Sequence, residues 1–132
     1  MSRPGVIDRM LELWNGGDVD AIAEIYSPEC VDKHGRRLEP AAIREEIMEL
    51  REAFPDQRFE VERELDAGDA VVLCLRWHGT HHGTFASSLG AIAPTGRRFS
   101  ISGIEIFDVR DDRVVRAWMA WNIAALVAQL RD

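Results

Sequence analysis

Phe99-Ser100-Ile101-Ser102-Gly103-Ile104-Glu105-Ile106-Phe107-Asp108-Val109-Arg110, then Asp111-Asp112, then Arg113-Val114-Val115-Arg116-Ala117-Trp118-Met119-Ala120-Trp121, decide the fold of this chain. The stretch reads as a strand, a tight turn and a second strand. Pro94-Thr95-Gly96-Arg97-Arg98 precedes it as a turn, and an apolar helix follows from Asn122 to Leu130. A strand that hands its last residues to a closing helix is well placed to line a pocket.

Working back from there, Ala70 to Gly79 is a nearly continuous apolar run, as expected of a central strand. Phe59, Val61 and Leu65 alternate with Glu60, Glu62 and Glu64, which gives a strand with a dry and a wet side. Ala67-Gly68-Asp69 is the hairpin turn between these two strands. His82 to Pro94 reads as a long loop of small residues, of the kind that rims a site.

The first half is helical. Val6, Ile7, Met10, Leu11 and Leu13-Trp14 follow a helical period after Pro4, and Asn15-Gly16-Gly17 stops it. Asp18 caps a short second helix carrying Val19, Ile22, Ile25 and Tyr26. Cys30 to His34 is a short strand candidate. Pro40 opens a third helix with Ile43, Ile47, Leu50 and Phe54 on one face, and Pro55-Asp56 ends it. The order is α-α-β-α-β-β-β-β-α, an α+β chain in one domain over residues 1–132. A curved antiparallel, partly mixed sheet wrapped around the N-terminal helices makes a cone, whose open end is a natural pocket.

The chain has 132 residues, 46% hydrophobic content and a net charge of −7. That length buries a real core. The acidic balance argues against nucleic acid and anionic membrane as partners. No apolar run approaches the ~20 residues that span a bilayer. Met1-Ser2-Arg3-Pro4 meets acidic residues by Asp8, so no secretion signal is expected. Cys30 and Cys74 show no metal or redox spacing and read as small core residues in a reducing cytoplasm.

Several segments together resemble the SnoaL-like polyketide cyclases of the nuclear transport factor 2-like superfamily. They are Trp14-Asn15-Gly16-Gly17-Asp18-Val19-Asp20-Ala21, Ile25-Tyr26-Ser27-Pro28-Glu29, Phe54-Pro55-Asp56, Arg76-Trp77, Gly79-Thr80-His81-His82-Gly83, Gly103-Ile104-Glu105-Ile106-Phe107 and Trp118-Met119-Ala120-Trp121-Asn122. The resemblance implies a cofactor-free, metal-free site inside the cone and a small apolar or polyketide-like ligand. It also implies intramolecular aldol closure driven by an acid near the end of the last strand. The matching position here is Asn122. An amide cannot abstract a proton, although it can orient water or bind an oxyanion.

The residues offer other acid-base groups. Arg76 and His78 share one face of the central strand, and superfamily epoxide hydrolases resemble this with an Arg and an acid two apart. Glu105 stands in an apolar stretch, either lining the pocket or exposed at an edge. His34 ends the first strand candidate. The expected catalytic set is therefore His78, Glu105, Asn122 and Arg76, with Trp14, His34, Trp118 and Phe107 contacting ligand. Plainer readings exist for several. Arg76 can pair with Glu60 or Glu62 across the sheet. His78 can be a satisfied rim histidine, His81 can simply shape its turn, and the tryptophans can be core. Three functions follow: a polyketide-tailoring cyclase, isomerase or hydroxylase-like enzyme; a water-activating epoxide hydrolase; and a non-catalytic binding protein. A homodimer is expected, because the sheet face turned away from the cavity needs cover.

Overall fold

The computed structural model describes residues 4–131. Residues 1–3, where no secretion signal was expected, lie outside the described residues. The helices are α1 (Gly5–Trp14), α2 (Ile22–Ile25), α3 (Pro40–Ala53) and α4 (Ile123–Arg131), with a 3-10 turn at Val19–Ala21. The strands are β1 (Tyr26–Val31), β2 (Arg58–Asp66), β3 (Ala70–Thr80), β4 (Phe85–Ser87), β5 (Gly90–Ile92), β6 (Arg98–Arg110) and β7 (Arg113–Trp121). Five of them form one sheet in the order β1-β7-β6-β3-β2, with β1 parallel to β7 and the other pairs antiparallel. This is the expected α+β architecture. Among the described residues, no helix is long and apolar enough to cross a membrane.

The turn chemistry sets the registers. Asp111 and Asp112 both adopt positive φ, the left-handed geometry that lets a two-residue turn follow the strand twist, and β6 then pairs with β7 from Arg110–Arg113 to Gly103–Trp121. Gly68 takes φ 82° between β2 and β3. On the helical side, a Cβ at Gly17 would crowd the Glu12 carbonyl, so only glycine allows this close return of the chain. Arg51 of α3 then donates to the carbonyls of Leu13 and Gly17, tying α3 to the end of α1 and the turn after it.

Two expectations need correction. The first strand runs from Tyr26, not Cys30, because Asp32 Oδ1 accepts the backbone N–H groups of His34 and Arg36 and folds that stretch into a turn. Leu65 is exposed, because a register shift between Val61 and Arg63 breaks the alternation of β2. The long loop also contains the small β4–β5 hairpin, anchored by Phe85 and Ile92 on the Phe54 cluster. Of the cysteines, Cys30 is buried and Cys74 only half-buried on the outer sheet face.

The core is split. One cluster joins α1, α2 and α3 to Val71, Leu73, Leu75, Phe107 and Val114. A second gathers Phe54, Trp77, Phe85, Phe99, Ile101, Leu126 and Leu130. Each fully buried large side chain contributes about 1.5–3 kcal/mol. Trp121 packs against both clusters, and the cone's cavity opens at the seam.

Candidate active site

The cavity holds about 580 Å³. Its walls are aromatic and aliphatic: Trp14, Phe59, Trp77, Phe107, Met119 and Trp121 are among its lining residues. Phe59 stacks on Trp77 at 5.3 Å, and Trp121 meets both rings edge-on. Asn15 holds this wall in place. Its side chain donates to the Phe59 carbonyl at 3.0 Å and accepts the Phe59 N–H at 2.7 Å, so it pairs with edge strand β2 as a neighbouring strand would. The sequence showed Asn15 only as a helix stop.

Glu105 is the carboxylate inside. Along β6, Ile101, Gly103, Glu105 and Phe107 face the helices, while Ser100, Ser102 and Ile104 face out. Glu105 is 9% exposed and lines the cavity. Burial pushes its carboxyl up to about 7; the Trp121 indole N–H, donating to Oε2 at 2.9 Å, opposes that shift, and the charge of Glu46 adds to it. Its Oε1 makes no hydrogen bond with any described residue.

Tyr26 is the second polar group, and no sequence signal singled it out beyond its place on an apolar face. It is 4% exposed and lines the same cavity. Its hydroxyl accepts from Trp14 Nε1 at 2.8 Å. Burial drives its pKa far upward, so the phenol stays protonated and can donate. Trp14 and Phe107, both expected ligand contacts, line the cavity with it.

The remaining expected site residues stand elsewhere. Arg76 and His78 do share a face, but it is the outer one. Arg76 binds Glu62, Ser100 and Ser102, and His78 Nε2 sits 3.1 Å from Glu60. The inner positions of β3 are Val71, Leu73, Leu75 and Trp77, whose bulk fills the core. Asn122 is exposed, and its Oδ1 accepts the Ala125 N–H at 3.0 Å as the cap of α4. Its cap role turns the amide away from the cavity. His34 is exposed in the turn after β1. Trp118 is 37% exposed on the outer face of β7, with Lys33 Nζ 4.9 Å from its ring centroid. His81 is fully buried with Nδ1 against Thr95, shaping its turn. Among the described residues, no group of three or more His, Cys, Asp or Glu is placed to hold a metal ion.

A family model for SnoaL-like polyketide cyclases matches residues 5–130. The chain belongs to that family. Its sheet and helices form the cone of the nuclear transport factor 2-like superfamily. AclR of Streptomyces galilaeus, a provisionally assigned hydroxylase, is 27% identical with a TM-score of 0.81 over 96% of this chain and 79% of its own. A provisionally assigned polyketide cyclase from Acidithiobacillus ferrooxidans is also 27% identical, with a TM-score of 0.80 over 96% of this chain and 92% of its own. IdmH of Streptomyces antibioticus, 24% identical, shares the fold with a TM-score of 0.80, covering 97% of each chain. No functionally curated protein matches the chain.

Proposed function

We propose that this SnoaL-like protein is a proton-transfer enzyme acting on a small ring-bearing, polyketide-like molecule. The observation that carries the reading is Glu105, the buried carboxylate among the apolar walls of the cavity, with its pKa raised to about 7. Such a group is half ionised near neutrality, the condition that favours both taking and returning a proton. In this mechanism the Glu105 carboxylate removes a proton from carbon next to a ligand carbonyl. The electron pair moves to the carbonyl oxygen, and the Tyr26 hydroxyl donates to the enolate so formed. The enolate carbon attacks a second carbonyl of the same molecule and forms the ring bond. The new alkoxide recovers the proton from Glu105. Returning the proton to a different carbon instead gives isomerisation. The chain's carboxyl and phenol suffice for these steps.

A hydroxylase-like step is the second reading, favoured by the likeness to AclR. The epoxide-hydrolase reading has His78, Glu105 and Asn122 activate water, with Arg76 beside His78; of these only Glu105 lines the cavity.

We also infer a homodimer. Val72-Ile106-Trp118 and Cys74-Ile104-Ala120 lie side by side in register on the outer sheet face. Ile104 is 46% exposed there. An apolar stripe of this kind fits a second copy of the same face.

The test uses 2-tetralone, a bicyclic ketone whose exchangeable carbon-bound protons report enolisation by NMR in deuterium oxide. The protein should accelerate the exchange, and Glu105→Gln should lose about 100-fold or more of that acceleration. If Glu105→Gln exchanges within a few-fold of the unmodified protein, the assignment fails.

A further inference from the structure

The cavity mouth carries a charge pattern that proton transfer does not use. Glu46, Glu49 and Glu52 project from successive turns of α3 and line the cavity together with Glu105. No Lys, Arg or His lines it among the described residues. None of the three mouth carboxylates is in an ion pair with a described residue. Thr84, just before β4, and Ser87 and Ser88 of the β4–β5 hairpin line the cavity too, and these are neutral hydroxyls. Inside, Trp14, Phe59, Trp77 and Trp121 form one connected aromatic wall. Glu105, nine-tenths buried, presents its unpartnered Oε1.

We propose that the cavity selects a ring-bearing ligand with a positively charged amine at its mouth-facing end, and rejects carboxylates. Three features converge on that class. An anion entering here passes the exposed carboxylates of Glu46, Glu49 and Glu52 and then meets buried Glu105, so it is repelled at the mouth and again inside. An ammonium at the mouth supplies the missing counter-charge for Glu46 and Glu49; desolvation first, and the neighbouring Glu49 charge second, raise the Glu46 pKa. The aromatic wall takes the ligand's ring system by stacking and edge contacts, which leaves the amine to reach the mouth. The ligand's rings would then lie along Trp77 and Trp121, its reacting carbonyl near Glu105 and Tyr26, and its amine between α3 and the hairpin.

This inference rests on the cavity being the ligand site, and the experiment separates the two. Three probes with one body are compared by calorimetry at mildly alkaline pH: 1-naphthylmethylamine, 1-naphthalenemethanol and 1-naphthoic acid. The amine should bind at least about ten-fold tighter than the alcohol, and the acid at least about ten-fold weaker than the alcohol. High salt should narrow the gap. The triple variant Glu46→Gln, Glu49→Gln, Glu52→Gln should bring the amine to the alcohol's affinity while the alcohol changes by less than about two-fold. Its melting curve checks the fold, and single Glu49→Gln, with a partial effect, serves if the triple variant is unstable. Alcohol and amine binding equally, acid binding best, or a preference that survives the triple variant overturns the charge selection. Failure of all three probes to bind overturns it too, and removes the cavity itself as a ligand site.

Discussion

The indole of Trp121 lies against Gly103, its partner across the β6–β7 ladder, in the space any other side chain at 103 would occupy. That contact lets the ring cross the sheet and bring Nε1 to 2.9 Å from Glu105. Gly103 is therefore part of the machinery that tunes the buried carboxylate. Gly103→Ala should displace the ring, cost about 1–3 kcal/mol in unfolding free energy, and raise the Glu105 pKa above about 7. Carbon-13 NMR of the Glu105 carboxyl measures the second effect. An unchanged pKa in a folded variant would show that the indole bond survives.

Glu105 itself sets a pH dependence. Its folded pKa of about 7 lies above the ordinary 4.5. Between those values the folded chain holds a proton that the unfolded chain has released, so stability falls as pH rises through this window. Above the window the penalty is on the order of 3 kcal/mol. Glu105→Gln cannot ionise and escapes it. The variant should be more stable than the unmodified protein at mildly alkaline pH, and the difference should vanish at pH well below 4.5. Urea melts at a series of pH values would reveal the crossover; parallel pH profiles for the two proteins would contradict a buried, titrating Glu105.

The outer sheet face gives a third test. Trp118→Arg or Ile104→Lys should convert a dimer to monomer in sedimentation, with the melting temperature becoming less dependent on protein concentration. His78→Gln lies on the same face beside Glu60. It should leave 2-tetralone exchange within about two-fold, since the His78 side chain bonds Glu60 on the outer face and does not line the cavity.

Asn122 caps α4 through the Ala125 N–H. Asn122→Ala should cost about 1 kcal/mol, whereas Asn122→Asp should keep the cap. Neither should change exchange rates by more than a few-fold. A large gain from Asn122→Asp, read by the same NMR assay, would mean that position 122 reaches the ligand after all.

Much of this was legible in the chain. Pro40, Asn15-Gly16-Gly17, Gly68 and Asp111-Asp112 place element ends by backbone chemistry, and the succession of helices and main strands along the chain follows from them. The phase of β3 was not legible. Alternation says that Arg76 and His78 share a face, but Val72 and Cys74 make that face nearly as apolar as the inner one. Which side meets the helices depends on α1 and α3, far away in sequence. Glu105 shows the converse: its apolar neighbours marked it as either buried or at an edge, and only the β6 register with Met119 and Leu73 separates the two. Tyr26 gave no signal because its partner, Trp14, sits on another element.

The two hydrophobic clusters are joined by Trp121, which packs against both, and by the edge contact of Trp14 with Phe59. The space between is interior that the chain's own side chains leave unfilled. A guest of the right shape completes it, and its affinity adds directly to the free energy that holds the chain folded. Heat then becomes a way to read the guest: among unrelated small molecules, those that delay melting most are the ones whose outline matches the gap. The protein's thermometer and its selectivity are one property, measurable before any reaction has been found.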